Sequence, residues 1–98
     1  MSQLLLEVAQ ASITFLDKSR TTPNDNILVS GILNITKHPV LLQDTDNGYR
    51  IGQMKLLLET YDKELSNGSV LDPNSKLIVN NLYDELIGIL KSYLPVED

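Results

Sequence analysis

The chain has 98 residues, 42% of them hydrophobic and 21% charged, which predicts one folded domain over residues 1–98 with a modest core and argues against general disorder. It contains no cysteine, which excludes disulfide bonds and cysteine-ligated metal sites and is typical of a protein of the reducing cytoplasm. Its formal net charge is −5, and because its eight Lys and Arg residues are scattered singly, the pattern argues against a nucleic-acid-binding surface.

The first segment carries apolar residues at helical spacing. It predicts a helix from about Gln3 to Lys18, with Ser2 as its cap. No basic residue precedes the apolar run, and no apolar run in the chain approaches the ~18 residues that a membrane span requires. We therefore expect mature structure that does not cross a membrane. The apolar face comprises Leu5, Leu6, Val8, Ala9, Ile13, Phe15 and Leu16.

The second segment, "NDNILVSGILNITKHPVLL", allows two interpretations. Asn24 or Asp25 can cap a helix that places Leu28 and later apolar residues on one face. The segment is also rich in β-branched residues, so a short hairpin within residues 27–42 is the alternative. Pro39 ends whichever element precedes it. The loop "VLLQDTDNG" is expected to follow.

Two features of this region suggest chemistry, but neither has the residues that such chemistry needs. His38 is the only histidine, so it lacks a second imidazole or cysteine for a metal site or a catalytic pair, and we interpret it as a loop residue without function. The stretch Asp44–Gly48 alternates carboxylates before a glycine but fails the register of a calcium loop. We expect a polar turn there that caps the next helix through Asp46 or Asn47.

The third helix has the clearest pattern. Its apolar stripe predicts a helix that ends near Leu65, where Gly68 can adopt the left-handed conformation that closes a helix. Lys55, Glu59 and Lys63 lie on its outer face at a spacing that favours ion pairs. The stripe consists of Ile51, Met54, Leu58, Tyr61 and Leu65.

A fourth helix follows a short connection. Asp72 is expected to cap it, Pro73 to occupy its first position and Pro95 to end it. A short connection makes the third and fourth helices an antiparallel pair. Their apolar faces are wider than either can cover alone, so the amino-terminal segments must pack on them. The fold predicted is an all-α, antiparallel four-helix bundle.

The chain shows no motif of a hydrolase, a phosphate-binding loop or a metal site, so we expect neither catalysis nor a cofactor. Paired acids, Asp62 with Glu64 and Asp84 with Glu85, diverge on a helix and are interpreted as solvated. Met54 and the later tyrosines are expected in the core. Tyr49, beside Arg50 and before the helical stripe, is expected to be an exposed anchor for a partner.

The stretch "LLLETYDKELSNGSVLDPNSKLIVNNLY", from Leu56 to Tyr83, resembles the middle of the pediocin-like (enterocin A-type) bacteriocin immunity proteins. The resemblance implies a cytosolic four-helix bundle that protects its own cell, without catalysis, near the cytoplasmic side of the membrane receptor that the bacteriocin exploits. Such proteins are typically basic and continue further after the motif, whereas this chain is acidic and ends sooner. The matching residues are Leu58, Tyr61, Leu65, Leu71, Asp72, Pro73, Leu82 and Tyr83.

If the chain is such a binding protein, its determinants are expected in the second half of the sequence, together with the tail after Pro95. Two alternatives are an adaptor or inhibitor module of phage or plasmid type that docks on one protein partner, and a structural subunit that self-associates as a homo-oligomer. The residues expected to bind the partner are Tyr49, Arg50, Asn80, Asn81, Asp84 and Lys91.

Overall fold

The structure is a computed structural model that describes residues 3–20 and 24–95. These residues form five α-helices and no strand. The all-α bundle is therefore confirmed, and the hairpin alternative for residues 27–42 is wrong. The predicted cap Ser2 and the tail after Pro95 lie outside the described residues. The helices are α1 (Gln3–Arg20), α2 (Asp25–Thr36), α3 (Pro39–Leu42), α4 (Gly48–Ser66) and α5 (Pro73–Ser92).

The start of α2 resolves the choice between two caps. Asn24 has an extended backbone, and its side-chain oxygen accepts hydrogen bonds from the N–H groups of Asn26 and Ile27 at 2.9 and 3.3 Å. Asp25 is the first helical residue, where a carboxylate favours the positive end of the helix dipole. The β-branched residues of this segment are therefore helical because the cap and the packing of α2 outweigh their strand preference.

The prediction of an uninterrupted loop after Pro39 is wrong, because α3 forms a single helical turn there. Proline is favoured at the first position of a helix, where its missing N–H costs nothing. His38 caps this turn, since its Nδ1 accepts a hydrogen bond from the N–H of Val40 at 3.2 Å. Leu41 is fully buried, so the turn adds a core side chain. His38 thus has a structural role that its isolation in the sequence did not indicate.

The connection between α4 and α5 follows the sequence signals closely. Gly68 has φ +88°, and its N–H donates to the carbonyl of Leu65 while that of Ser69 donates to Glu64, the arrangement of a Schellman motif. Asp72 then caps α5 by accepting from the N–H of Ser75 at 2.7 Å. That bond lowers the pKa of Asp72. Pro73 is the first helical residue, as predicted.

The helices pack together as a bundle. The most extensive packing joins α2 to α4, while α1 packs on both α2 and α5, and α3 covers one part of α4. By contrast α4 and α5, although adjacent in the chain, contact each other at few points. None of the helices in the two described ranges is both long and apolar enough to cross a membrane. The largest fully buried side chains are Leu16, Ile32, Leu41, Ile51, Met54, Leu58, Leu86 and Leu90.

Candidate partner-binding surface

The outer face of α4 exposes large apolar side chains. Tyr49 in the first turn is 82% exposed, and Leu56, seven residues later, is 64% exposed. A separation of seven residues places both side chains on the same side of a helix. Leu57, next to Leu56, is also exposed. We refer to Tyr49, Arg50, Leu56 and Leu57 as the α4 surface.

Arg50 extends from the α4 surface to α5, where it forms a paired hydrogen bond with Glu85. Its Nη2 donates to Oε1 of Glu85 at 2.7 Å, and its Nε donates to Oε2. These bonds lower the pKa of Glu85 and raise that of Arg50. Both side chains remain accessible to solvent, so the guanidinium lies at the molecular surface. The paired hydrogen bond holds it in one orientation there.

The neighbouring carboxylate of α5 pairs with the other arginine of the chain. Nη1 of Arg20, at the end of α1, lies 3.1 Å from Oδ1 of Asp84, and the guanidinium lies over the ring of Tyr83, 4.8 Å from its centre. The Tyr83 hydroxyl donates to the carbonyl of Leu16 at 3.0 Å. Burial, reinforced by the charge of Asp17, raises the pKa of Tyr83. The acids of α5 are exposed as expected, but each has an arginine partner that the sequence pattern did not indicate.

The predicted binding residues do not form one patch. Arg50 contacts α5 on the side that faces α4, whereas Asp84 pairs with α1 and Asn80 lines a groove beside α2. The side-chain amide of Asn80 donates to the carbonyl of Lys76 in its own helix. Asn81 and Lys91 are exposed on α5. Because the set divides across α5, a single partner surface can include only part of it.

A hydrogen-bonded cluster holds the entrance of α4 against the end of α5. The hydroxyl of Tyr93 donates to Oδ2 of Asp44 at 2.7 Å and accepts from the side-chain amide of Asn47 at 3.1 Å. Burial and the bond to Asp44 raise the pKa of Tyr93 to about 12, and the same bond lowers the pKa of Asp44. Asn47 occupies the cap position of α4, but its side chain caps no N–H of the helix. The predicted cap position at Asn47 is therefore confirmed, but the predicted side-chain capping is wrong: the backbone of Asn47 has ψ −8° instead of the extended conformation of a capping residue, and its side chain is turned to Tyr93.

Gly48 follows this cluster at a point of close backbone approach. A Cβ atom on Gly48 would lie 2.3 Å from the carbonyl oxygen of Leu42. The N–H of Gly48 also donates to the carbonyl of Asp44 at 2.9 Å. A side chain at this position is therefore excluded unless the α3 turn moves.

Phe15 belongs to the apolar face predicted for α1, but the residue is 45% exposed. The apolar face predicted for α1 contained seven residues within four turns, and this width indicated that some of them stay exposed but not which ones, since that depends on how α2 and α5 pack on α1. Met54, Tyr61, Tyr83 and Tyr93 are buried as predicted.

Comparison of the chain with protein-family models, with curated proteins and with solved structures found no match. Within residues 3–20 and 24–95, no group of three or more His, Cys, Asp or Glu residues is arranged to hold a metal ion. The α4 surface is the candidate site on which the proposed function depends.

Proposed function

We propose that this protein is a non-catalytic, cytoplasmic binding protein, and that its specific function is immunity to a pediocin-like bacteriocin. The observation that carries the binding role is the 82% exposure of Tyr49 beside the fixed guanidinium of Arg50. A single exposed apolar residue needs no explanation, but an aromatic ring grouped with an arginine and with Leu56 is the composition that interfaces favour.

The side chains of the α4 surface are held in place before a partner binds, which favours binding. Arg50 is held by two hydrogen bonds to Glu85 and therefore has less side-chain freedom to lose when a partner docks. Tyr49 and Leu56 project from a long helix whose opposite face is anchored in the core. Such a surface is preorganised, so a partner can bury it without reordering the backbone.

The residues that carry the family resemblance have structural roles: they are buried in the core or form the start of a helix. Leu58, Tyr61, Leu71, Leu82 and Tyr83 are buried, while Asp72 and Pro73 start α5. These residues explain the helical hairpin, and the binding specificity must reside in other, exposed side chains. The support for the proposed function is thus the all-α fold together with the exposed α4 surface.

The partner proposed is a membrane receptor complex, which the protein would contact from the cytoplasmic side. Protection then requires only that the bound protein alter the access of a bacteriocin to that receptor, without a chemical step. Asn81, which is exposed on α5 one turn before Glu85, would help to determine which receptor is recognised.

The test is expression of the protein in a sensitive bacterium that is then exposed to a panel of pediocin-like bacteriocins. We expect survival with at least one member of the panel, and we expect Tyr49→Ala and Arg50→Ala to abolish protection without lowering cellular abundance. Leu4→Ala, which truncates an exposed apolar side chain on α1, is the matched control and should protect fully. Absence of protection across the panel, with folded protein present, would favour the adaptor or inhibitor alternative.

A further inference from the structure

A groove runs over the outer side of α2, away from the α4 surface. Phe15 of α1 forms one wall, Asp62 and Leu65 of α4 form the other, and Ile27 and Ser30 of α2 lie between them. Its volume is about 430 Å³. Ser30 and Gly31 are the small residues of its lining on α2.

A second groove, of about 380 Å³, continues the first toward the turn between α4 and α5. Asn26 and Leu65 line both grooves, so they form one continuous depression. The second part adds Asp25 from the start of α2 and Val70 from the turn. We call the combined depression the α2 groove.

All charged side chains that line the α2 groove are carboxylates. Asp62 lies in one part and Asp25 in the other, and no Lys or Arg is among the described lining residues. Asp25 forms an ion pair with Lys76, whose Nζ lies 3.8 Å from one of its oxygens. Asp62 forms no ion pair with a described residue. The negative charge that the groove presents is therefore mainly that of Asp62.

The same groove exposes large apolar side chains. Phe15 is 45%, Ile27 47% and Val70 80% exposed. Exposed apolar groups that are grouped around a depression mark interaction sites more often than isolated ones do. Phe15 and Asp62 both line the first part of the groove, so a bound segment can contact an aromatic ring on one wall and a carboxylate on the other.

We propose that the α2 groove binds a basic amphipathic segment of another protein, a site separate from the α4 surface and independent of the function proposed for that surface. Lys or Arg side chains of the segment contact Asp62 and Asp25 through charge-assisted hydrogen bonds. A guanidinium near Phe15 gains a cation–π contact. Apolar side chains of the segment cover Ile27 and Val70. The carboxylates disfavour an acidic segment, so charge determines which partners are accepted.

The experiment is selection of a random peptide library, displayed on phage, against the folded full-length protein, followed by synthesis of the peptides that are enriched most. We expect these peptides to carry Lys or Arg among apolar residues. Fluorescence anisotropy should show that Asp62→Asn weakens their binding by about fivefold or more, and that Phe15→Ala weakens it as well. Raising the salt concentration should also weaken binding, because salt screens the attraction between the peptide and the carboxylates.

Glu64→Gln is the matched control, because it removes a carboxylate two residues from Asp62 that does not line the groove. It should leave the affinity unchanged, and thermal melts should show that all three variants remain folded. The proposal would be overturned if the enriched peptides are acidic, if no peptide is enriched, or if Asp62→Asn and Glu64→Gln bind equally well. Loss of bacteriocin protection in Tyr49→Ala has no bearing on these outcomes, so the two proposals fail separately.

Discussion

The two connections that flank α4 are built in different ways. The turn between α4 and α5 is closed by bonds between residues at most five positions apart, such as Ser69 to Glu64 and Ser75 to Asp72. The connection between α2 and α4 contains the α3 turn and is held by Asp44 and Asn47, whose partner Tyr93 lies 49 and 46 residues away. The first connection is specified locally, and the second depends on the completed fold.

This difference separates two sources of stability. A local motif constrains its own turn and contributes little to the placement of distant helices. A bond from Tyr93 to residues near the start of α4 joins the end of one helix to the beginning of another. We therefore expect substitutions in the α2–α4 connection to destabilise the whole domain more than substitutions in the α4–α5 turn.

The largest effect is expected from Gly48→Ala, compared with Gly68→Ala. A Cβ at residue 48 would meet the backbone oxygen of Leu42 at 2.3 Å, and because the backbone of α3 must move, the free energy of unfolding should fall by about 3 kcal/mol. At residue 68 the added Cβ meets nothing within 4 Å, so only the left-handed backbone opposes it, at about 1–2 kcal/mol. Urea unfolding of both variants measures the difference.

Gly88→Ala is the control for both substitutions. Gly88 lies inside α5 with open space around it, so alanine should stabilise the protein by about 0.5–1 kcal/mol. If Gly68→Ala lowers the free energy of unfolding more than Gly48→Ala does, the expectation that the α2–α4 connection contributes more to stability than the α4–α5 turn is wrong.

Tyr93→Phe should have the next largest effect. It removes the hydroxyl that bonds to Asp44 and Asn47 and leaves these polar groups without that partner, which should lower the free energy of unfolding by about 1–2 kcal/mol. The effect should also depend on pH. The hydroxyl lowers the pKa of Asp44 in the folded protein, so its contribution is complete above the ordinary carboxyl pKa of ~4 and is lost as the pH falls through the lower folded value.

The measurement is urea unfolding of the parent and of Tyr93→Phe at several values between about pH 6 and pH 3. The parent should lose more stability over this range than the variant, so their difference should shrink toward acid. A difference that stays constant with pH would mean that the bond to Asp44 does not account for the loss.

Asp72→Ala should destabilise less than Tyr93→Phe, because it removes one exposed cap from the locally specified turn. Asp72→Asn is the matched control, since asparagine is an equally good capping residue and should retain most of the stability at neutral pH. Thermal and urea melts of the two variants test this. Equal losses would show that the charge of Asp72, rather than its hydrogen bond, stabilises the start of α5.

Asp84→Ala should have the smallest effect, within about 0.5 kcal/mol of the parent. Its ion pair with Arg20 joins two exposed side chains outside both connections, where solvent screens most of the attraction. Urea melts at low salt provide the baseline for the other variants. A loss as large as that of Asp72→Ala would contradict the view that this pair is weak.

The sequence predicts the parts of the fold that local chemistry specifies. The left-handed Gly68, the cap at Asp72 and the proline after it are each recognisable within a few residues, and the apolar stripe of α4 predicts which side is buried. The α3 turn was not predicted because Pro39 is compatible both with the end of one helix and with the first position of the next. The pairing of Asn47 with Tyr93 could not be predicted, since it depends on where the last helix packs.

The candidate surfaces show the same division. Tyr49 could be placed on the surface because it precedes the buried stripe of α4. Phe15 could not, because its exposure depends on how much of α1 the other helices cover. The ion pairs of Arg20 and Arg50 could not be predicted from residue spacing either, since their partners Asp84 and Glu85 belong to a helix that is distant in the sequence.

The packing of α1 against α5 has a consequence for the order in which this protein is made. The hydroxyl of Tyr83 bonds to the carbonyl of Leu16, 67 residues earlier in the chain. On the ribosome, α1 emerges before α5, so the apolar side of α1 that α5 covers stays uncovered until α5 has been made. A contact over so many residues closes slowly compared with local ones. The packing of α1 is therefore completed only after α5 has emerged.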